Sequence, residues 1–275
     1  MSRATLSAMP PGEVRWTSEI HTDGELRFRL GREGDRLIAE WPGICTLRAE
    51  RDGSSSELLP APDADPELID KLHSGLARAL LRHVSGELTL HASAAAIGGR
   101  AIACVGESHA GKSTAVAELV VNHGAELVSD DTLAIVLGDH GAGVIPTEPV
   151  SWLLPESRRA LGFDADETFG KVPIAPIRAA QGQVPLGALV MLVFDDDIDT
   201  PTLRRLRGHD ALEGLVPSVV RFILDEPELH RRELEQLTRL VSCVPVYELA
   251  RPYRIEQLAA ASEALRALAE GRGKP

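Results

Sequence analysis

The chain has 275 residues, of which 44% are hydrophobic and 25% charged, so it has the composition of an ordinary globular protein and not of a disordered one. Its 29 basic and 41 acidic side chains give a net charge of −12, which argues against a protein that wraps nucleic acid or docks on an anionic membrane. No apolar run reaches the about 18 residues of a membrane span, and Met1–Gly12 lacks the pattern of a signal peptide. We therefore expect a cytoplasmic protein.

The N-terminal part of the chain has the pattern of a small antiparallel β unit. Apolar and polar residues alternate over Glu13–Ala49, with glycines between the runs. The following segment, Arg51–Asp65, is rich in Asp, Ser and Pro and has no apolar period, which predicts a surface loop or linker. These patterns predict a small β-rich lobe over residues 1–60 and a second domain over residues 61–275.

The second domain begins with a predicted helix. Asp65 is its expected N-cap, Pro66 its first residue, and Gly86 its stop. Apolar runs and helical periodicity then predict strands and helices along the rest of the chain. The predicted strands are Leu88–Ala96, Ala101–Val105, Thr132–Leu137, Leu186–Phe194, Val219–Leu224 and Val244–Leu249, and the predicted helices are Lys112–His123, Pro227–Val241 and Arg254–Leu268.

A glycine-rich segment between a predicted strand and a predicted helix carries the most specific motif. Gly106–Ser113 matches G-x-x-x-x-G-K-[ST] at every fixed position. In such a loop the glycines let backbone N–H groups surround a phosphate, Lys112 reaches the β and γ phosphates, and the Ser113 hydroxyl holds Mg²⁺. The sequence therefore predicts ATP binding by Gly106, Glu107, Ser108, His109, Ala110, Gly111, Lys112, Ser113 and Thr114.

One residue of this loop is unusual. His109 either lines the entrance to the site or simply tolerates a positive φ, and the second interpretation is favoured.

The acid that would serve the cation and the acceptor hydroxyl has three candidates. Asp130 and Asp131 follow the loop helix, Asp195 ends the apolar run Leu189–Phe194, and Asp225 precedes Glu226 and Pro227. The last resembles the end of an ABC transporter ATPase strand, but no Leu-Ser-Gly-Gly-Gln signature lies between residues 160 and 221, so this hypothesis is rejected. Pro227 and the acid after it are explained equally well as a helix start. Asp195–Asp197 has the pattern of a solvated acidic turn.

Three segments together resemble the catalytic core of HPr kinases and the broader HPr-kinase-like serine kinases. They are Leu90–Ser93, Gly106–Thr114 and Leu127–Asp131. In that family a histidine precedes the phosphate loop by one strand pair and an Asp-Asp follows it by one helix. The resemblance is strong from His91 to Asp131 and continues more weakly to about Leu268. It implies an α/β fold with a P-loop kinase core of the HPr kinase/phosphoenolpyruvate carboxykinase type. This core would be built on a mixed sheet over residues 61–275, and the small β-rich lobe would precede it in the chain.

The resemblance also implies roles for individual residues. One of Asp130 and Asp131 would accept the proton of the acceptor hydroxyl while the pair, with Ser113, helps to hold Mg²⁺. His91 would lie near the γ phosphate or orient the base. The structural alternatives are a core histidine at a strand end for His91 and a turn or N-cap for the two acids. Lys171 is a further candidate for a residue that binds the nucleotide. The sequence does not decide which arginine would stabilise the charge of the transferred phosphate; the candidates are Arg158, Arg159, Arg251 and Arg254.

The implied function is an ATP- and Mg²⁺-dependent kinase that phosphorylates a serine hydroxyl. Some compact relatives modify ribosomally made precursor peptides, including lasso peptides, which favours a peptide or protein acceptor over a free small hydroxyl compound. The chain has no equivalent of the Leu-Glu-Ile-Arg-Gly run of HPr kinases, so reverse phosphorylase activity is not expected, and HPr is not the expected acceptor.

Two other hypotheses remain open. One is a non-catalytic nucleotide-binding regulator, motivated by His109, and the other is an ATPase with Asp195 as its Walker B acid. The oligomeric state also stays open, a homo-oligomer included. The three Trp, two Tyr and five Phe residues do not single out one that would stack on adenine.

The three cysteines, Cys45, Cys104 and Cys243, are far apart and odd in number. They therefore predict neither a disulfide framework nor a metal cluster, and we expect reduced thiols, most of them buried.

Overall fold

The computed structural model describes residues 13–139, 141–147, 150–164, 171–175, 178–223 and 226–272. The chain divides into two compact units. The first runs to Gly86 and includes Arg221–Pro227, and the second comprises Glu87–Val220 and the chain from Glu228 onward. The expected boundary after residue 60 falls inside the first unit, and the division into a lobe and a catalytic domain stays a prediction.

The first unit contains a five-stranded antiparallel sheet whose strands follow one another in chain order. Its strands are β1 (Arg15–Thr22), β2 (Glu25–Glu33), β3 (Arg36–Trp41), β4 (Cys45–Ala49) and β5 (Ser56–Pro60). The first four confirm the predicted antiparallel unit. The fifth lies in the segment predicted as a loop, so that part of the prediction is wrong. The Asp, Ser and Pro residues of this segment are typical of loops, but β5 pairs with β4, with Leu58 opposite Leu47.

The helix predicted after Asp65 is present in the first unit. It comprises α1 (Pro66–Leu72), a π-helical turn (His73–Ala77) and α2 (Arg78–Val84). The Asp65 side chain caps it by accepting a hydrogen bond of 2.9 Å from the Glu67 backbone N–H. It ends before Gly86, whose φ of +73° is a conformation that a helix cannot continue.

The second unit is built on a seven-stranded mixed sheet. Its strands, in their order across the sheet, are β13 (Thr202–Leu206), β14 (Val246–Arg251), β12 (Val184–Phe194), β7 (Arg100–Val105), β6 (Thr89–Ile97), β8 (Glu126–Gly138) and β9 (Gly141–Ile145). Strand β12 is parallel to β7 and β14, and the other adjacent pairs are antiparallel. Because β9 also pairs with the start of β12, five of the strands form a closed ring of pairings. β10 (Ser151–Leu153) and β11 (Val172–Ile174) form a separate two-stranded antiparallel sheet.

Helices cover both faces of this sheet. They are α3 (Lys112–Asn122), α4 (Pro155–Ala160), α5 (Gly208–Leu215), α6 (Pro227–Cys243) and α7 (Leu258–Ala269). Successive side chains of β7 point to opposite faces, so Ala103 packs in a core with Leu215 of α5 and Leu237 of α6, whereas Ile102 packs with Leu119 of α3 and Leu265 of α7. The mixed α/β class expected from the sequence is therefore present. None of the helices in the described residues is long and apolar enough to cross a membrane.

Several elements differ from the sequence prediction. The strand expected over Val219–Leu224 is wrong, because Val219 forms only an isolated bridge with Leu90, while Leu224 lies outside the described residues. The strand expected at Thr132–Leu137 is part of the longer β8. Six further short elements, β9, β10, β11, β13, α4 and α5, were not predicted, since none is longer than eight residues and such short segments show no clear period.

Candidate functional site

A cavity of about 680 Å³ opens beside the phosphate loop in the second unit. Segments far apart in the chain line it, from β6 through the loop after β7 to the segment after β14. Of the residues that the sequence singled out for the site, those lining it are His91, Ser108, His109, Gly111, Lys112, Ser113, Thr114 and Asp131. Those that do not line it are Gly106, Glu107, Ala110 and Asp130.

The two fixed glycines of the loop are required by their surroundings. Gly106 has a φ of +137°, and a Cβ there would lie 2.8 Å from the carbonyl oxygen of Leu192. Gly111 has a φ of +80°, and its Cβ would lie 2.3 Å from Nη2 of Arg251. No side chain fits at either position without a shift of its neighbours.

His109 satisfies both interpretations that the sequence left open. Its φ is +67°, an uncommon conformation that histidine tolerates better than most residues. Its side chain also lines the cavity and is exposed. The positive φ explains the backbone of this loop position, and the exposure leaves the imidazole free to contact a ligand.

Lys112 is buried and folds back over the phosphate loop. Its Nζ donates hydrogen bonds to the carbonyl oxygens of Gly106, at 3.0 Å, and Glu107, at 2.9 Å. Burial lowers the pKa of Lys112, and Lys171 lowers it further, whereas Asp131 and Asp130 oppose the shift. The ammonium group therefore lies at the loop and close enough to both acids to be affected by their charges.

Asp130 is buried, and both oxygens of its carboxylate accept hydrogen bonds. One carboxylate oxygen accepts from the Ser93 hydroxyl at 3.0 Å, and the other accepts from the Trp152 backbone N–H at 2.6 Å. The Ser113 hydroxyl also lies close enough to lower the pKa of this carboxylate. Burial nevertheless raises the pKa of Asp130, because desolvation of the charge outweighs the donors that stabilise it.

Asp131 occupies a different environment from its neighbour, as expected for successive residues on a strand. Its side chain is 45% exposed and lines the cavity. Nδ1 of His91 lies 3.0 Å from the Asp131 carbonyl oxygen, where the ring N–H donates, and 3.8 Å from the carboxylate. The two acids that the sequence treated as a pair therefore differ in their surroundings. Asp130 is buried and accepts hydrogen bonds on both carboxylate oxygens, whereas Asp131 lines the cavity.

His91 has the electrostatic surroundings of a neutral imidazole. Burial lowers its pKa, and so do Lys112 and Lys171, whereas Asp131 raises it. With Nδ1 donating to the carbonyl of Asp131, Nε2 is the ring nitrogen left to accept a proton or a hydrogen bond.

The structure divides the basic candidates. Lys171, Arg251 and Arg254 line the cavity, whereas Arg158 and Arg159 belong to α4 and do not. Arg251 is buried, and its Nη2 donates a hydrogen bond of 2.8 Å to the Ala110 carbonyl of the loop.

The competing acids of the sequence analysis lie elsewhere. Asp195 does not line the cavity, and its carboxylate accepts a hydrogen bond of 3.0 Å from the Asp197 backbone N–H, as in an acidic turn. Asp225 lies outside the described residues.

Sequence reasoning missed several residues at the site, of which four matter most for its geometry. Ser93 and Trp152 hold Asp130, and Phe194 and Tyr253 line the cavity. No local motif marks these residues, since each reaches the site through long-range pairing or packing. Ser93 alone had a usable signal, its position two residues after His91 on the same predicted strand.

The donor set fits a cation that arrives with a nucleotide. In the described part of the chain, no three His, Cys, Asp or Glu side chains are grouped so as to hold a metal by themselves. Mg²⁺ in phosphoryl-transfer sites is held by one or two carboxylates together with phosphate oxygens. The Ser113 hydroxyl and the carboxylates of Asp130 and Asp131 supply the hard oxygen ligands that such an ion prefers.

Comparison with known proteins gives little beyond this geometry. No protein-family model matches the chain, and no curated protein matches it. Among solved structures, the chain is similar to the Hpr(Ser) kinase/phosphatase from Coxiella burnetii, with 15% sequence identity and a TM-score of 0.36, over 67% of this chain and 99% of that chain. A TM-score this low carries no argument about function.

Proposed function

We propose that this protein is a kinase that transfers the γ-phosphate of ATP, with Mg²⁺, to a serine hydroxyl of a peptide or protein. The observation that carries the proposal is the grouping of Lys112, Ser113, Asp131 and His91 around one cavity, next to the buried Asp130. Phosphoryl transfer is catalysed mainly by positioning and by charge stabilisation, and these residues supply both.

The phosphate loop would bind the β and γ phosphates. Its backbone N–H groups and the N-terminus of α3 favour negative charge, and Lys112 adds a point charge at the loop. In the structure Nζ of Lys112 is satisfied by two loop carbonyls, so phosphate oxygens would compete for an ammonium that is already positioned. Lys171 lies close enough to lower the pKa of Lys112 and would add a second positive charge at the γ phosphate.

Ser113 and Asp131, which both line the cavity, would hold the cation, and the buried Asp130 would add its negative charge beside them. Mg²⁺ would neutralise the charge that develops on the transferred phosphate and on the leaving ADP. Ser93 and Trp152 fix Asp130 through their hydrogen bonds, and Asp130 in turn lies close enough to interact with the Ser113 hydroxyl.

Asp131 would act as the general base. The serine oxygen forms a bond to the γ phosphorus, the bond between that phosphorus and the β,γ-bridging oxygen breaks, and the serine proton passes to the Asp131 carboxylate. Asp131 suits this step better than Asp130, since its carboxylate faces the cavity and is free of the donors that enclose its neighbour. His91 would orient Asp131 through the hydrogen bond to its carbonyl.

The choice of a peptide acceptor rests on the resemblance of the three motifs to HPr-kinase-like serine kinases. A ribosomally made natural-product precursor, such as a lasso peptide, is the acceptor that this resemblance favours. A free small hydroxyl compound is the alternative acceptor for the same chemistry.

The test is detection of phosphate transfer by intact mass. The purified chain would be incubated with Mg-ATP and a mixed pool of serine-containing peptides and small hydroxyl compounds. We expect one product heavier by one phosphate, formed by the wild type and by Asp199→Asn, an exposed acid outside the cavity, but not by Asp131→Asn. ATP binding without any product across the acceptor pools, or ATP hydrolysis that survives Asp131→Asn, would contradict the kinase and favour the regulator or the ATPase.

A further inference from the structure

Two large hydrophobic side chains remain exposed at the edge of the candidate site. Tyr253 is 64% exposed and Ile255 is 44% exposed, although most of the large apolar side chains of this unit are buried. Both line the cavity that Gly111, Lys112 and Ser113 also line. Exposure of an aromatic ring beside a polar cavity leaves apolar surface that a ligand would cover.

Tyr253 is held in place from two sides. Its backbone N–H donates a hydrogen bond of 3.0 Å to the Asp196 carboxylate. Its ring packs edge to face on Phe194, with the centroids 4.6 Å apart and the planes at 78°. This arrangement fixes the ring while it leaves most of the side chain in solvent.

The same cluster is joined to the phosphate loop. The Arg251 guanidinium lies 4.6 Å from the centroid of the Phe194 ring, and its Nη2 donates to the carbonyl of Ala110. A series of direct contacts thus runs from the loop through Arg251 and Phe194 to Tyr253. The position of the exposed ring relative to the loop is therefore set by packed side chains.

We infer that Tyr253 is the stacking platform for the nucleobase of the bound nucleotide, with Ile255 as an apolar neighbour; this assignment rests on the proposed function. Tyr253 and the loop residues that would anchor the phosphates line one cavity, so a base reaching Tyr253 stays in the cavity that holds its phosphates. A planar base covers an exposed aromatic ring well, and stacking on it adds to the affinity for the nucleotide. Base–aromatic stacking discriminates little between bases, so the residue would add affinity more than base selectivity.

The test separates the base from the phosphates. Binding of Mg-ATP and of Mg-tripolyphosphate, which has no base, would be measured by calorimetry for the wild type and for Tyr253→Ala. We expect Tyr253→Ala to weaken ATP binding roughly 5- to 150-fold (about 1–3 kcal/mol), the range found for base–aromatic stacking, and to leave tripolyphosphate binding within about twofold. Tyr253→Phe should retain the affinity of the wild type for ATP, since it keeps the ring.

Leu234→Ala is the matched control, because Leu234 is a 51% exposed hydrophobic residue that does not line the cavity. It should change neither affinity. Equal losses for ATP and tripolyphosphate in Tyr253→Ala, or no loss for either, would overturn the inference, as would a raised KM for the acceptor with unchanged ATP affinity. If the wild type binds neither ATP nor tripolyphosphate, the proposed function is wrong, and the role of Tyr253 inferred from it is wrong as well.

Discussion

The guanidinium group of Arg251 donates a hydrogen bond of 2.8 Å to the carbonyl oxygen of Ala110. This contact joins the end of β14 to the phosphate loop, across 141 residues of the chain. It also places Nη2 of Arg251 where a side chain on Gly111 would have to lie. The glycine of the motif is therefore required here by a tertiary neighbour as well as by its own backbone conformation.

Gly111→Ala should accordingly impair nucleotide binding. The added methyl would displace the Arg251 guanidinium and shift the loop, so we expect ATP and tripolyphosphate affinities to fall more than about tenfold, or by more than about 1.4 kcal/mol. Gly99→Ala is the matched control, because Gly99 has a similar φ of +78° and nothing within 4 Å of its Cβ position. Calorimetry on both variants checks this, and equal affinities in the two would show that the Arg251 contact is unimportant for binding.

Asp131→Asn should abolish transfer without preventing nucleotide binding. An amide cannot take the proton of the acceptor hydroxyl, and loss of a general base costs about 100- to 10,000-fold in rate. Mg-ATP affinity should change only a few-fold, because Asp131 lies beside the phosphate loop and is not part of it. Single-turnover kinetics and calorimetry on the same preparation separate the two effects. Transfer at the wild-type rate would remove Asp131 from the mechanism.

Asp130→Asn should make the fold more stable at alkaline pH. Burial raises the pKa of Asp130 above its ordinary value of 3.8, so the stability that its protonated form contributes is present at low pH and lost as pH rises through the folded-state pKa. At pH 8 the variant no longer buries a charge, and an amide oxygen can still accept from the Trp152 N–H. We expect a gain of about 1 kcal/mol, or about 2–4 °C in Tm.

This gain should shrink as the pH falls toward the ordinary carboxyl pKa, where Asp130 of the wild type is itself protonated. Thermal unfolding of both proteins in EDTA, at pH 8 and at acidic pH, measures the difference. A variant less stable than the wild type at pH 8 would mean that the charge-assisted hydrogen bonds from Ser93 and Trp152 outweigh desolvation.

The cysteines should differ sharply in reactivity. Burial raises the pKa of Cys104 to about 12 and also raises that of Cys45, whereas Cys243 is exposed. Because the thiolate is the reactive form, a thiol reagent at pH 8 should modify Cys243 first and the other two only after unfolding. Peptide mapping after a timed reaction locates the modified residue, and Cys243→Ser should remove the fast phase. Rapid modification of Cys104 in the folded protein would contradict its burial.

The sequence by itself determined the glycine-rich loop over Gly106–Ser113, the strand and helix on either side of it, and several of the residues that line the cavity beside it. These are local features: the spacing of Gly106, Gly111 and Lys112 and the helical period of α3 are visible within a dozen or so residues. The proximity of His91, the loop and Asp131 could likewise be expected from the sequence. Elements that follow one another along a chain usually lie next to each other, and here the strands of His91 and Asp131 pair.

The tertiary structure alone decided which acid faces the cavity, which arginine contacts the loop and which aromatic ring lies exposed beside it. Asp130 and Asp131 are adjacent and chemically identical, and only the packing of Ser93, Ser113 and Trp152 around one of them makes them different. Arg251 and Tyr253 reach the site because β14 pairs with β12, which pairs with β7 beside the loop. Such contacts depend on pairings between distant segments, and the local pattern of a sequence does not encode which distant residues will meet.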